Sequence, residues 1–382
     1  MVNENRYIPF EFRGEAKEFF KIWIVNIALT ILTLGIYSAW AKVRTNRYIY
    51  GNTYLNGSNF EFNANPKRIL YGRLIVVGFY AIFLFATDVI YSNTLALSVL
   101  AIFLLLLPWL IRQAISFRLK SASYRNIHFK YRGKVKEFYI LALLLILSFI
   151  FVISPIIISA VFKIHSGFIS FLTFVFFILF WIVIIPSLYK RFKALIINNS
   201  YYGVTQFKFS ATKKDAIWLF LKMGAITFIA SILLGIATAI VTAIISAIDS
   251  GLHISQGNLA ITQALFTFGV MLVYLVTLGL YKGISDGYLS NFVRDHTSLN
   301  DCKFKGEINP LKLGFISVTN ILATIFTLGL AYPWAKMRYL RYKATHTYFM
   351  CEDYSKFIGD GKEYSSTIGE ETMDFFDIDI GV

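Results

Sequence analysis

Six stretches of this chain are apolar for long enough to cross a lipid bilayer, and they limit what the rest can become. A helix needs about 20 predominantly apolar residues to span a hydrocarbon core of about 30 Å. Ile69–Tyr91, Thr94–Ile111, Phe138–Phe162, Phe168–Ser187, Ala216–Ile248 and Leu259–Leu280 have that character. Ala216–Ile248 is longer than needed and contains Gly224 and Gly235, which predicts a tilt or a break. Two further stretches, Ile22–Trp40 and Leu311–Trp334, are shorter and interrupted by Asn26, Gly35, Asn320 and Gly329. Composition agrees: 57% of the 382 residues are hydrophobic and 15% charged, where soluble domains hold about 45–50% and about 25%. Disordered, collagenous and coiled-coil readings are excluded. Two cysteines exclude a disulfide scaffold, and Cys302 and Cys351 read as solitary reduced thiols.

The six long stretches pair into three hairpins that turn at Ser92-Asn93, Lys163–Gly167 and Asp249–Gly257, with Lys163 the one basic residue in those turns. The stretches between hairpins, Lys42–Arg73, Arg112–Lys136, Lys190–Lys222 and Lys282–Lys312, hold 26 of the 37 Lys and Arg. Such an excess marks the cytoplasmic side. The net charge of +15 therefore points to anionic headgroups rather than to nucleic acid. Met1 to Lys21 contains Glu4, Glu11, Glu15 and Glu18 and no apolar core, so it does not read as a cleaved signal peptide.

Internal similarity is the most informative pattern. Asn26–Arg44 aligns without gaps with Asn320–Arg338, sharing Thr-Leu-Gly and Trp-Ala-Lys-x-Arg; Thr277-Leu278-Gly279-Leu280 is a shorter third copy. The box Phe10-Glu-Phe-Arg-Gly14 recurs as Phe129-Lys-Tyr-Arg-Gly133 and, more weakly, as Cys302-Lys-Phe-Lys-Gly306. A small polar pair stands eight residues before an aromatic alternation at Asn52-Thr53, Ser121-Ala122, Asn199-Ser200 and His296-Thr297. Alternation of that kind predicts short strands with one aromatic face. These segments either pair with one another beneath the membrane or each pack on their own helix.

Orientation bears on the two short stretches. If both cross, ten further basic residues leave the cytoplasm; if both enter and return, 36 of 37 stay on one side. Re-entrant or interfacial segments are favoured on that ground, with the Thr-Leu-Gly step as the tip.

On these residues the chain resembles the YjgN-like family of bacterial inner-membrane proteins. The carriers are Phe12-Arg-Gly14, Thr33-Leu-Gly-Ile-Tyr37, Trp40-Ala-Lys-Val-Arg44, Asn52-Thr53 through Gly57 and Phe60, Thr327-Leu-Gly329 and Trp334-Ala-Lys-Met-Arg338. The resemblance covers roughly residues 8–350 and implies a polytopic inner-membrane protein. It carries no activity onto these positions.

Candidate binding residues follow from the duplicated block. Trp40, Lys42 and Arg44, with Trp334, Lys336 and Arg338, suit an anionic headgroup or solute at the membrane edge, or act only as interfacial anchors. Asn26, Thr30, Asn320 and Thr324 line a polar pathway, together with the breaks at Gly35 and Gly329, or serve as packing contacts between helices. Asp88, Asp249 and Asp286 read as structural. The five histidines lack metal-ligand spacing, and no cofactor or catalytic motif is recognisable. The reading is therefore an all-α polytopic membrane protein: a helical bundle with internal repeats, six full spans, two shorter re-entrant or spanning segments and short cytoplasmic aromatic β-segments. Residues 1–350 form one membrane domain and 351–382 an acidic, flexible tail. The expected localisation is the bacterial inner membrane, multi-pass, with cytoplasmic termini. The expected function is non-enzymatic: a transporter or channel-like protein for a small or anionic solute, or else a membrane scaffold or lipid-organising protein. Lipids with anionic headgroups are the expected partners, and a homo-oligomer is open.

Overall fold

The computed structural model describes residues 7–162, 167–252, 256–351 and 357. The chain opens with two short strands, β1 (Ile8–Pro9) and β2 (Glu11–Phe12). Helices α1 (Ala16–Leu32) and α2 (Ser38–Gly51) lead into a hairpin, β3 (Thr53–Leu55) and β4 (Ser58–Phe62). The same order follows with α3 (Pro66–Leu84), α4 (Asn93–Lys120), β5 (Ala122–Tyr124) and β6 (Ile127–Tyr131). Then come α5 (Val135–Phe162), α6 (Gly167–Leu179), α7 (Ile185–Asn198), β7 (Ser200–Tyr202) and β8 (Thr205–Phe209). Next are α8 (Lys213–Leu252), α9 (Gln256–Asp295), β9 (Thr297–Leu299) and β10 (Cys302–Gly306). The described elements end with α10 (Pro310–Phe326), α11 (Tyr332–Thr345) and β11 (Thr347–Met350).

Among the described residues, six helical stretches are long and apolar enough to cross a membrane: Pro66–Val89, Asn93–Lys120, Val135–Val161, Gly167–Asn198, Lys213–Ile244 and Phe266–Asp295. They match the six expected spans. Wide π-turns at Phe85–Val89 and Phe180–Ile184 interrupt two of them. The expected break in the fifth span is corrected. α8 runs unbroken through Gly224 and Gly235, and a side chain at either glycine would meet open space. The turn expected at Lys163–Gly167 and part of that at Asp249–Gly257 lie outside the described residues.

The all-α expectation is also corrected. Eleven strands form one antiparallel sheet in the order β1-β11-β10-β9-β8-β7-β6-β5-β4-β3-β2. Each aromatic alternation is the second arm of a hairpin whose first arm has only three residues. Two-residue turns join the arms, with positive φ at Asn56 and Gly57, at Arg125 and Asn126, at Gly203 and at Asn300. Such turns match the natural twist of a hairpin. Neighbouring hairpins then pair with one another, which gives the edge of each hairpin a backbone partner. The N-terminal strand finishes the sheet. Its β1 half pairs with β11 and its β2 half with β3, which joins the two ends of the chain.

One register recurs around the sheet. Phe60 faces Tyr124, Phe129 faces Tyr202, Phe207 faces Leu299 and Phe304 faces Phe349. Glu11 opposite Tyr54 sets Phe10 against Leu55 in the same way. Backbone bonds of 2.8–2.9 Å recur one step on: Arg13 to Asn52, Asn63 to Ser121, Arg132 to Asn199, Ser210 to His296 and Glu307 to His346. These aromatic residues fill the inside. Phe10 and Phe60 stack at 6.0 Å, Phe129 and Phe207 at 6.3 Å, and Phe207 lies 6.3 Å from Phe304. Rings two strands apart approach this closely only on the concave side of a curved sheet, because strands are spaced about 4.8 Å. Burial pushes the hydroxyls of Tyr124 and Tyr202 above the ordinary tyrosine range.

Two smaller points complete the frame. Cys302 and Cys351, expected as solitary thiols, are joined as a disulfide, because β10 and β11 bring their Cα atoms to 4.5 Å. The expected acidic tail lies outside the described residues apart from Phe357, which packs among the interior rings and meets Tyr202 edge-on at 5.4 Å. The polar residue after each of four basic helices caps it. Asn52, Asn199, His296 and His346 bond the carbonyl four residues back.

Candidate functional site

The two short apolar stretches are helical hairpins, α1–α2 and α10–α11, that leave the sheet and return to it. Asn26 sits on α1 and its Nδ2 donates to the Ala41 carbonyl at 3.3 Å on α2. Asn320 Nδ2 donates to the Ala335 carbonyl at 2.9 Å. Near the base, Phe19 and Tyr48 pack at 5.6 Å. Both asparagines are buried, so they bind helix to helix within one hairpin and do not line a passage.

Thr-Leu-Gly forms the tip in both copies, as the sequence predicts. Thr33 Oγ1 donates to the Leu29 carbonyl at 2.7 Å and accepts from the Tyr37 amide at 2.9 Å. Thr327 repeats this with Ala323 and Ala331 at 2.7 and 2.9 Å. Gly35 and Gly329 have φ of +91° and +94°, and their amides reach the Thr30 and Thr324 carbonyls at 2.7 Å. Leu34 and Leu328 also take positive φ and are 95% and 94% exposed. The left-handed backbone is strained in any surroundings, but the exposed leucine side chain is better placed in hydrocarbon than in water. The third Thr-Leu-Gly copy differs. Thr277–Leu280 is continuous helix within α9, where Gly279 lies against Val318 and Ile321 of α10.

The two Trp-Ala-Lys-x-Arg blocks part company. Trp40 stacks on Tyr37 at 6.3 Å and packs on the core around Val43, Phe62 and Phe117. Lys42 is half-buried and Arg44 exposed. In the second block the Arg338 guanidinium lies 5.2 Å over the half-exposed Trp334 ring. It also donates to Thr319 Oγ1 at 2.7 Å and Asn320 Oδ1 at 3.3 Å. Lys336 Nζ donates to the Tyr332 hydroxyl at 3.3 Å. The hairpins are neighbours, with Trp23 6.0 Å from Tyr332 and Arg341 donating to the Gly14 carbonyl at 3.0 Å. They follow one another around the sheet rather than facing across a two-fold axis, so the two blocks do not form one site.

What does form is a cleft of about 670 Å³ between the start of α1, the start of α10 and one face of α11. Its floor is apolar: Phe315, Ile316, Trp334 and Met337. Lys17, Lys312, Arg338 and Arg341 surround that floor, with Glu15 at one side. Of the sequence candidates it contains Trp334 and Arg338. Lys17, Lys312 and Arg341 were not singled out, yet a signal exists. Lys17, Lys67, Lys136, Lys214 and Lys312 all stand in the first turn of a helix. A cation there opposes the helix dipole, so its recurrence needs another reason. Asp286, read as structural, accepts from the Tyr339 hydroxyl and lies 3.8 Å from Lys343. Among the described residues no group of three or more His, Cys, Asp or Glu could hold a metal ion.

Comparison with known proteins finds a family and named relatives. Residues 7–375 match the family model described as "Bacterial protein of unknown function (DUF898)". A protein of Salmonella typhimurium named inner membrane protein YjgN is 23% identical over 354 residues, covering 90% of this chain and 89% of its own. An Escherichia coli protein of the same name is 26% identical over 375 residues, covering 89% and 88%. No solved structure matches the chain.

Proposed function

The chain belongs to the bacterial family of unknown function DUF898, and on that premise we propose that it is a non-catalytic inner-membrane protein that holds anionic phospholipid headgroups at its cytoplasmic face. The cleft beside α11 is the observation that supports this. Lys17, Lys312 and Arg341 suit a phosphate diester, whose recognition rests on convergent cations. The apolar floor suits the first carbons of the acyl chains. First-turn lysines, unfavourable for the isolated helix, become favourable beside a negative surface. The excess of basic residues on the sheet side supports a cytoplasmic sheet, and in that orientation the exposed leucine tips reach part-way into the bilayer.

Transport of a small or anionic solute is the other class considered. It asks for a polar path lined by Asn26 and Asn320. Both amides are engaged by a returning helix, and the sheet interior is filled with aromatic rings, so that reading draws no support from either.

The test is native mass spectrometry of the purified protein titrated with phosphatidylglycerol or phosphatidylcholine. The expected result is preferential retention of phosphatidylglycerol. A surface Lys or Arg contributes about 1 kcal/mol to anionic-lipid attraction, so the double change Lys17→Gln, Lys312→Gln weakens retention roughly tenfold or more. Equal retention of the two lipids would end the proposal. Orientation has its own check. On a background without Cys302 and Cys351, a single cysteine in place of Tyr7 is expected to escape a membrane-impermeant thiol reagent in intact cells, and labelling there would put the sheet on the other side.

A further inference from the structure

We infer that the acidic C-terminal segment of this chain docks on its own sheet, with Phe357 seated in the aromatic interior and the acids beyond it drawn to the β5–β6 wall. Residues 352–382 carry nine of the 22 acidic residues and two of the 37 basic ones, which leaves 35 basic against 13 acidic on the rest of the chain. Charge therefore selects this segment as the natural occupant of a basic surface on the same molecule. Two described residues, Cys351 and Phe357, bound its start. Cys351 is bonded to Cys302 at the rim of the sheet, and six residues later Phe357 lies among the interior rings against Tyr202.

The outer wall marks where the remainder goes. Glu11, Lys130, Lys208 and Lys305 occupy equivalent outward positions, facing Tyr54, Tyr201, Ser298 and Tyr348. Glu11, Lys208 and Lys305 are exposed, as the outer face of such a sheet requires. Lys130 is only 4% exposed, and Ser123 beside it on β5 only 1%. The recurring helix packing is common to every hairpin, so it does not account for burial at this one. A lysine is seldom buried unless a negative group accompanies it. Lys130 follows Phe129, whose ring is 5.1 Å from Tyr202, the residue that Phe357 meets. The 25 residues after Phe357, at about 3.3 Å each when extended, reach that wall with chain to spare.

The experiment is limited digestion of the full-length protein in detergent, without lipid, by a lysine-specific protease. Lys356 and Lys362 flank Phe357, and cleavage at Lys362 is followed by mass. A docked segment is cut only from its released state, so cleavage is expected at least about tenfold slower than in a synthetic 352–382 peptide. Phe357→Ala, Lys130→Gln, and the combined change Asp360→Asn, Glu363→Gln, Glu370→Gln, Glu371→Gln each bring the rate towards that of the peptide. The tail changes lie beyond the last strand and leave the sheet's own residues intact, so loss of folding does not mimic the result. Cleavage of the wild-type chain at the peptide's rate would overturn the inference. So would slow cleavage that none of the variants accelerates. Neither outcome touches the lipid proposal.

Discussion

At the scale of the residue, the hairpin tips are the sharpest statement the chain makes. Gly35 and Gly329 sit in open space, so a methyl group there clashes with nothing. Their cost on substitution is purely conformational. Gly35→Ala or Gly329→Ala, at φ near +90°, is expected to destabilise the protein by about 1–2 kcal/mol, read as a lower melting temperature in detergent. Thr327→Val removes a hydroxyl that both donates and accepts, and is expected to cost about 1 kcal/mol. The tips were legible in the sequence because glycine and threonine are needed by type. The fate of Arg44 and Arg338 was not. They occupy the same place in two nearly identical blocks, yet Arg338 is bound by Thr319 and Asn320 while Arg44 is exposed. The difference lies inside the hairpin: Thr319, whose hydroxyl takes Arg338, is matched by Val25 in the first block, one residue before the aligned stretch begins at Asn26.

Between elements, the closest packing is that of α9 on α10, and glycine makes it possible. A Cβ on Gly283 would lie 2.5 Å from the Leu313 carbonyl and 2.6 Å from the Gly314 Cα; on Gly287 it would lie 2.9 Å from the Pro310 Cα. With Gly279 these form a small-residue stripe at four-residue spacing, the pattern that lets helices approach in a membrane. Gly283→Leu is expected to prevent the hairpin from docking and to cost about 3 kcal/mol or more. Gly224→Ala and Gly235→Ala in α8 meet open space and are expected to be neutral or to stabilise by up to about 1 kcal/mol. Unfolding of the three variants in parallel checks the contrast. Sequence reading treated these glycines the other way round. It took Gly279 as part of a shorter third copy of the Thr-Leu-Gly block and Gly224 and Gly235 as a tilt or a break, because composition shows where a helix can bend but not where another helix needs room.

Over the whole molecule, the six apolar spans were plain in the sequence, whereas the closed sheet was visible only as scattered aromatic pairs. First arms of three residues, such as Thr53–Leu55, fall below any useful periodicity. The strand that completes the circuit, Ile8–Phe12, lies more than 330 residues from its partner Thr347–Met350. Deletion of residues 7–12 would bare the edges of both β3 and β11, and exposed edges invite association. The expected outcome is aggregated material in size-exclusion chromatography rather than a smaller monomer. The same closure sets a clock on biosynthesis. The first strand emerges from the ribosome at once but its second partner only near residue 350, and at about 5–20 residues per second that is a wait of roughly 20–70 seconds. Three long apolar hairpins are made in the meantime, so the nascent chain must carry a strand whose β1 half lacks its partner while each of them is synthesised. A trigger that stalled translation shortly before Thr347 would leave a ribosome-bound chain with all six long apolar helices made and its sheet still open.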